Sequence, residues 1–278
     1  GTGAAARTVQ DRLNETVSVA DYGAIGNAIA DDTAAFVNAL NSLGSSGGVV
    51  SVPMGFRCLI ERNLSVPDNC AKKKKKNPRG TITPSNIAGS STAIILNPTA
   101  TITLNNGSEV RDIATFRKGL QFNITSAQVA TQFTGTAITL ADATSDHLVS
   151  NCLILGFNNA IASAVGATNV SRSRIDGVSY DCNNGIVIEN SYDVTYIREA
   201  HGWPYVTVGS TPEANGAHLK RPGSGIKLTG AHDWTKATDC FNYGYARGYY
   251  LSSADSVTLT GCGADQPPTS VLDGSIGF

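Results

Sequence analysis

A repeat of roughly 22 to 24 residues constrains this chain more than any other sequence feature. The step from Asp233 to Asp255 is 22 residues, and the step from Cys240 to Cys262 is also 22. Three segments share a glycine followed by a short apolar strand: Gly185–Ile188, Gly225–Leu228 and Gly248–Leu251. This period, with short strands and Asn, Asp or Gly corners, predicts an all-β fold, the parallel β-helix. Leucine-rich repeats have a similar period but need a regular leucine pattern, which the sequence lacks.

Polar corner residues extend the repeat towards the N-terminus. The step from Asp146 to Asn169 is 23 residues, and the step from Asn169 to Asp193 is 24. Together with Asp233 and Asp255 they make one predicted ladder of corners. We expect this ladder to be structural, because Asn and Asp side chains satisfy the amide groups of turns. Asp233 is also a candidate catalytic residue, since Trp234 follows it.

One step departs from the period. Asp193 to Asp233 spans 40 residues, one coil plus about 17 residues, which we place as a loop insertion near residues 202–224. Pyranose rings present apolar faces that pack on aromatic rings, so three residues at the start of this loop are candidate substrate-binding residues. These are His201, Trp203 and Tyr205. Donors stand at its far end: His218, Lys220 and Arg221. The alternative is that Trp203 only folds the loop back on the coils.

The N-terminal part predicts a cap. Residues Asp31–Thr33 begin a helix near residues 32–43, with apolar positions at a period near 3.6. An apolar strand follows at Val49–Val52. A single amphipathic helix before many short strands is typical of a plug over the open end of a β structure.

Composition excludes several classes of protein. The formal net charge is −1, and five of the 21 basic residues form one run, Lys72–Lys76. Without that run 16 basic residues oppose 22 acidic ones, so we expect no nucleic-acid partner. No stretch of the chain approaches 18 apolar residues, so we expect no membrane insertion. The cysteines lack C-x-x-C spacing and the histidines lack H-E-x-x-H spacing. We therefore expect reduced packing cysteines, no metal and no cofactor.

The opening motifs resemble a known family. Ser18–Gly26, Asp31–Ala35 and Gly47–Pro53 are similar to the start of pectate-lyase-like right-handed β-helices. Arg7–Leu13 in front of them and the elements His201–Tyr205 and Gly261–Asp265 resemble bacteriophage tailspike proteins. The resemblance covers nearly the whole chain. It implies a right-handed parallel β-helix in a homotrimeric virion appendage that binds and cleaves bacterial capsular or O-antigen polysaccharide, as a hydrolase or lyase.

The same resemblance sets expectations for the ends of the chain. Residues 1–16 would be a connector through which other phage tail proteins bind, and residues 17–278 a β-helix that stops inside a coil. Lys72–Lys76 departs from the family pattern: five consecutive lysines cannot face a core, which leaves a solvated loop, an engineered stretch or residues of uncertain identity. The expected location is the virion tail, acting outside the host cell.

Stacking of coils predicts two outward ladders of basic residues, because equivalent residues lie about 4.8 Å apart. We expect Arg172, Tyr196, Lys236 and Thr258 in one ladder, and Arg174, Arg198, Thr238 and Thr260 in the next. Such a strip is able to bind an anionic sugar through bidentate and stacking contacts. The alternative is an ordinary solvated sheet face.

Two carboxylates occupy equivalent positions six residues beyond the corner. Glu199 and Asp239 would lie roughly 5 Å apart, near the separation in retaining glycosidases. Carboxylates that close favour one acid and one base or nucleophile. Asp265 is a further catalytic candidate if substrate runs along the helix. Each carboxylate alone also fits a surface or turn residue.

These residues support two functional hypotheses. The first is a tailspike depolymerase, a glycosidase or lyase that cleaves surface polysaccharide. The second is a non-catalytic virion fibre that only binds polysaccharide or links other tail parts. The Asn-Thr-Asp, Gly-His-Gly and Arg-x-Lys elements of polygalacturonase-like enzymes are absent from the sequence.

Overall fold

The chain winds through successive coils that add parallel strands to the same sheets. A computed structural model describes residues 8, 16–44, 47–68 and 92–267. Within these ranges the strands form three long sheets of nine, seven and six strands and two short pairs, and every strand pairing is parallel. A full coil passes through sheet I (nine strands), sheet II (seven) and sheet III (six) in that order. The all-β parallel β-helix expected from the repeat is confirmed.

The strands are numbered in chain order and grouped by sheet. Sheet I contains β2 (Asn27–Asp31), β4 (Arg57–Ile60), β6 (Ala93–Leu96), β9 (Ala114–Arg117), β13 (Leu153–Leu155), β17 (Ser179–Asp181), β20 (His201–Gly202), β23 (Phe241–Tyr243) and β26 (Gly263–Asp265). Sheet II contains β5 (Leu64–Val66), β7 (Ile102–Leu104), β10 (Thr136–Leu140), β14 (Asn159–Ser163), β18 (Asn184–Ser191), β21 (Arg221–His232) and β24 (Tyr245–Ser252). Sheet III contains β8 (Glu109–Arg111), β12 (Leu148–Ser150), β16 (Arg174–Asp176), β19 (Tyr196–Arg198), β22 (Thr235–Thr238) and β25 (Val257–Thr260). The two short pairs join β1 (Thr16–Ser18) to β3 (Val49–Ser51) and β11 (Thr144–Ser145) to β15 (Val170–Ser171).

The core lies inside the coils because alternate residues of each strand point inward. In sheet III, Ile175, Ile197 and Ala237 stack in register and are at most 1% exposed, while the residues on either side of each are more exposed. The corner residue Cys240 is buried and free, as are Cys58, Cys152 and Cys182. Apolar burial along this axis is the main force that holds the coils together.

Helix α1 (Thr33–Ser42) packs against the N-terminal strands. Its buried residues Ala35, Phe36 and Leu40 join the main apolar core. Asp32 accepts the backbone N–H groups of Ile25 and Gly26 at 2.7 and 3.1 Å, which fixes the turn before the helix.

Two insertions interrupt the regular coils. From Ser179 to His201 the step between paired strands is 22 residues, and from His201 to Phe241 it is 40. The additional residues lie between β20 and β21. A second insertion, between β9 and β10, contains helix α2 (Ser126–Gln132) and was not foreseen from the sequence. Both insertions lie beside sheet I.

The turn from sheet III to sheet I has one conformation repeated along the molecule. Six residues at this turn have φ between 50° and 63°: Asp112, Asn151, Gly177, Glu199, Asp239 and Gly261. This left-handed region favours Gly, Asn and Asp and is costly for other residues.

In the part of the chain that the structure describes, no helix is both long and apolar enough to span a membrane. The expectations for Lys72–Lys76, for Cys70, for all of residues 1–16 except Thr8 and Thr16, and for Ser275–Phe278 fall outside the described residues.

Candidate functional site: an aromatic shelf beside paired carboxylates

Five aromatic side chains form a partly exposed surface on the outside of sheet I, which we call the aromatic shelf: His201, Trp203, Tyr205, Phe241 and Tyr243. The Trp203 and Tyr243 ring centroids are 4.7 Å apart, and those of His201 and Phe241 are 5.7 Å apart. The structure thus brings together the three predicted aromatic residues of the insertion and two that were not predicted.

The strand register explains the shelf. His201 pairs with Phe241, which pairs with Gly263, so alternate outward residues of β20, β23 and β26 stack on successive coils. Tyr243 pairs with Asp265, which is exposed at the end of the shelf. Burial, and then the nearby Asp265 carboxylate, raise the pKa of the Tyr243 hydroxyl. Asp265, a predicted catalytic residue, therefore lies next to the end of the shelf.

The polar atoms of the shelf are uncharged at neutral pH. The Tyr205 hydroxyl and Nδ1 of His201 are hydrogen-bonded at 3.2 Å. Partial burial lowers the pKa of His201 and raises the pKa of Tyr205. Both shifts favour the neutral side chains, so the shelf offers ring faces and neutral donors and acceptors, the combination that suits a sugar ring.

The two carboxylates predicted as a pair lie at the edge of this shelf. Arg198 pairs with Thr238, so the next residues, Glu199 and Asp239, are equivalent on adjacent coils. The amide N–H of Glu199 donates to the carbonyl of Thr238 at 3.0 Å, which holds the two corners together. Both side chains are exposed. Their backbones stand about 4.8 Å apart, as strand spacing requires, and each lies two residues before a shelf ring.

A buried ion pair fastens the insertion to sheet I. The Arg221 side chain is 1% exposed and that of Asp181 is fully buried. Nε and Nη2 of Arg221 donate to the two carboxylate oxygens of Asp181 at 2.5 and 2.9 Å. Asp181 also accepts the amide N–H of Val206 at 2.8 Å. Because Asp181 belongs to β17, this pair fixes the loop that carries Trp203 and Tyr205.

The Nη atoms of the Arg221 guanidinium also donate hydrogen bonds to other residues of the same insertion. Arg221 donates to the hydroxyl of Thr207 at 3.0 Å and to the carbonyls of His218 and Lys220 at 3.2 and 2.8 Å. The expectation that His218 and Arg221 offer donors to a sugar is wrong, because both are buried and engaged inside the loop. The donors of Arg221 hold the chain in place, and Nδ1 of His218 accepts the amide N–H of Glu213.

The second insertion supports the first. Ile124, Val129 and Phe133 pack with Val206 in a separate apolar cluster, with Tyr205 against its side. The guanidinium carbon of Arg221 lies 5.2 Å from the centre of the Phe133 ring. The shelf therefore rests on two loops that brace each other.

The basic strip on sheet III differs in register from the sequence expectation. Arg174 pairs with Tyr196, whereas Arg172 was expected in that position. Asp176 pairs with Arg198, in the place expected for Arg174. Lys236 pairs with Tyr196 on the other side, as expected. An acidic residue therefore interrupts what was expected to be a cationic strip.

The cause is the length of one coil. Leu148 to Arg174 is 26 residues, whereas Arg174 to Tyr196 is 22. The additional residues lie in the corner around β15. Counting from the corner Asn169 therefore assigned Arg172 to the position that Arg174, two residues later, holds.

The predicted corner ladder is correct for three residues. Asp193, Asp233 and Asp255 each stand three residues before the paired position of sheet III. Asn169 and Asp146 stand five and two residues before theirs, so they do not belong to it. Asp233 is exposed at the start of β22, at the opposite end of that strand from Asp239. The structure does not bring it to the shelf.

The cations of the strip lie over an aromatic ring. The guanidinium carbon of Arg198 is 4.7 Å and the ammonium of Lys236 is 5.9 Å from the centre of the Tyr196 ring. Lys236 is also 5.8 Å from a ring centre of Trp234. Two cations therefore lie over the Tyr196 ring.

Phe241 and Tyr243 were missed although the sequence carries a signal for them. Aromatic residues stand two and four residues after Asp239, in the positions that His201 and Trp203 hold after Glu199. Among the described residues no group of three or more His, Cys, Asp or Glu side chains is placed to hold a metal ion.

Comparisons with known proteins identify no family. No protein-family model matches the chain, and no curated protein matches it. Among solved structures, the Agl-KA catalytic domain is 15% identical, with 96% of this chain and 50% of that chain covered and a TM-score of 0.41. This chain thus spans half the length of that domain.

Two further solved structures are more distant. ORF18 of Geobacillus virus E2 is 12% identical over 93% of this chain and 63% of that chain, with a TM-score of 0.28. PfbA, a surface adhesin of Streptococcus pneumoniae, is 11% identical over 90% of this chain and 92% of that chain, with a TM-score of 0.27. We therefore assign roles from the residues of this chain alone.

Proposed function

We propose that this protein binds a polysaccharide on the aromatic shelf and cleaves its glycosidic bonds with Glu199 and Asp239. The observation that carries the proposal is the coincidence of two features on adjacent coils. Paired corner carboxylates are followed, at the same spacing, by stacked outward rings. Neither feature alone requires a sugar ligand.

The shelf suits a saccharide chain better than a small molecule. Its rings are partly exposed and extend over two coils, and Asp265 continues the same ladder onto a third. Successive sugar rings pack their apolar C–H faces on Trp203 and Tyr243, while neutral His201 and Tyr205 offer hydrogen bonds to hydroxyl groups.

The carboxylate pair suits glycosidic cleavage. One carboxyl group donates a proton to the leaving oxygen, and the other acts as nucleophile or base. Backbones about 4.8 Å apart allow the short separation of a retaining enzyme. Asp265, on the next ladder position beyond Tyr243, is the reserve candidate for either role.

The resemblance of Arg7–Leu13 and His201–Tyr205 to tailspike proteins supports a more specific version of the proposal. In that version the polysaccharide is a bacterial capsule or O-antigen, and the protein is a virion component that forms a homotrimer. It acts outside the host cell and joins other tail proteins through its N-terminus.

A second function has one observation in its favour. Glu199 and Asp239 occupy the same left-handed corner as Asn151 and Gly177, where a turn residue is needed on every coil. A binding protein without catalysis would use the shelf alone. The two functions differ in whether bonds are broken.

The test is product release from capsular polysaccharide or lipopolysaccharide of a panel of bacterial strains. We expect reducing ends or unsaturated sugars from the wild-type protein, and losses of about 10³-fold or more in the Glu199→Gln and Asp239→Asn variants. Asp255→Asn, an exposed carboxylate at another corner, is the control and should keep full activity. Unchanged rates in both test variants would exclude the pair, and binding without products would favour the binding protein.

A further inference from the structure

A groove of about 470 Å³ lies on the outside of sheet III, away from the shelf. It crosses four successive coils, with Glu109 on the first, Asp146 on the second, Arg172 and Arg174 on the third, and Tyr196 on the fourth. Three strand spacings correspond to roughly 14 Å, a length suited to an extended chain rather than to a compact ligand.

The charges along this groove compensate one another. Arg172 donates to both carboxylate oxygens of Asp146 at 2.9 Å and reaches Asp193 at 3.4 Å. Glu109 pairs with Arg111 at 2.5 Å. The lining therefore contains three acidic side chains, Glu109, Asp146 and Asp193, and two basic ones, Arg172 and Arg174, with Arg111 beside Glu109. Arg174 forms no ion pair with any described residue.

Glu109 is the most buried of the three carboxylates that line the groove. Its side chain is 9% exposed. Burial raises the pKa of this carboxyl group, and Arg111 opposes the shift only in part. The groove therefore contains a shielded carboxyl group beside the Arg111 guanidinium.

We propose that this groove is a second glycan-binding site, specific for an uncharged, hydroxyl-rich sugar segment. The proposal rests on the proposed function in that the glycan held here is taken to be the one that the shelf binds. Sugar hydroxyl groups both donate and accept, so neighbouring hydroxyls donate to the Asp146 and Asp193 carboxylates and accept from Arg172 and Arg174.

An acidic sugar fits this surface less well. It would gain a contact with Arg174 but would lie along Glu109, Asp146 and Asp193, and like charges in contact are unfavourable. The shelf supports the same conclusion, because three exposed carboxylates stand at its edge: Glu199, Asp239 and Asp265. The proposal therefore differs from the sequence expectation of an anionic sugar in naming an uncharged one.

The test uses an array of bacterial surface oligosaccharides, with uncharged and acidic members matched in length. The full chain carrying Trp203→Ala weakens the shelf and leaves the groove as the main site. We expect this Trp203→Ala protein, the parent, to bind the uncharged oligosaccharides of the array. A second substitution, Arg174→Gln or Asp193→Asn, should lower that affinity about tenfold. Arg247→Gln, an exposed arginine on sheet II, is the matched control and should change nothing. Raising the salt concentration about tenfold should alter binding by less than roughly twofold, since no net charge is neutralised.

Three results would contradict a glycan-binding site in the groove. They are that the parent binds no oligosaccharide of the array, that it prefers acidic oligosaccharides, or that the parent and both groove variants bind equally well. These results are separable from a failure of the proposed function. If the polysaccharide is not cleaved but Arg174→Gln still lowers binding, the binding site in the groove is supported and the proposed cleavage is rejected. If cleavage depends on Glu199 but neither groove variant changes oligosaccharide binding, the proposed function is supported and the binding site in the groove is rejected.

Discussion

Glu199 has a left-handed backbone that its own side chain does not favour, as do Arg172 and Trp234 among the described residues. The φ angle of Glu199 is 50°, in the left-handed region. The equivalent position is Gly177 on the preceding coil and Gly261 two coils later. Glutamate has no short side chain to stabilise that conformation, which costs roughly 1–2 kcal/mol for an ordinary residue. Strain of this kind persists where function requires the side chain.

This strain predicts an unusual response to substitution. Glu199→Gly should abolish cleavage yet leave the free energy of unfolding unchanged or raise it by up to about 1 kcal/mol, since relief of strain exceeds the entropic cost of glycine. Urea unfolding measured beside the activity assay checks this. A loss of more than about 2 kcal/mol would mean that the Glu199 side chain stabilises the corner, as a structural role requires.

His147 determines part of the response of the molecule to acid. It is 1% exposed and hydrogen-bonded through Nδ1 to Ser173 and through Nε2 to Thr144, both at 2.8 Å. Burial lowers its pKa to about 4, and the exposed Asp146 carboxylate offsets this only in part. The imidazole is therefore neutral in the folded protein at neutral pH.

The sign of the pH effect follows from this shift. The unfolded chain protonates His147 near pH 6.5, whereas the folded chain does so only near pH 4. Between these values unfolding takes up a proton, so the free energy of unfolding falls as the pH falls, by about 3 kcal/mol over the window. His147→Gln removes this group and should flatten the profile in urea unfolding between about pH 7 and pH 4. An equally steep profile in the variant would assign the effect to other groups.

At the scale of single elements, β20 and β23 set the geometry of the aromatic shelf, our proposed binding site. Their outward residues stack because both strands pair in register, and the buried pair of Arg221 and Asp181 holds the following loop against them. Removal of one ring should therefore weaken binding without loosening the strands.

Two tyrosines make this a controlled comparison. Tyr243→Ala should lower affinity for the polysaccharide about tenfold, a loss of about 1.4 kcal/mol, which is typical of a ring that packs on its ligand. Tyr250→Ala removes a ring of equal size and similar exposure from sheet II and should leave affinity unchanged. Calorimetric titration with purified polysaccharide measures both, and equal losses in the two variants would remove the shelf from the binding site.

The sequence predicts these elements unevenly, for physical reasons. The coil period and the pairing of Glu199 with Asp239 follow from counting, because two consecutive coils share one register. The position of Arg172 does not, because a corner absorbs extra residues without disturbing the strands on either side. The α2 insertion was missed because it has no repeated counterpart with which to align it.

At the scale of the whole molecule, the parallel β-helix provides two separate strips of polar and aromatic side chains. The shelf follows sheet I through the C-terminal coils, and the groove follows sheet III through the coils before them. The left-handed corner that contains Glu199 and Asp239 separates the two sheets. A polymer held on both strips would be anchored beside the proposed cleavage point, which favours repeated cuts of one chain.

The most direct test of this account is a crystal structure of the Glu199→Gln variant with a bound oligosaccharide from a polysaccharide that the wild-type protein cleaves. The account predicts sugar rings packed on Trp203 and Tyr243, with a glycosidic oxygen within hydrogen-bonding distance of residue 199 or of Asp239. An oligosaccharide bound elsewhere, with the shelf empty and no glycosidic oxygen near this corner, would contradict it.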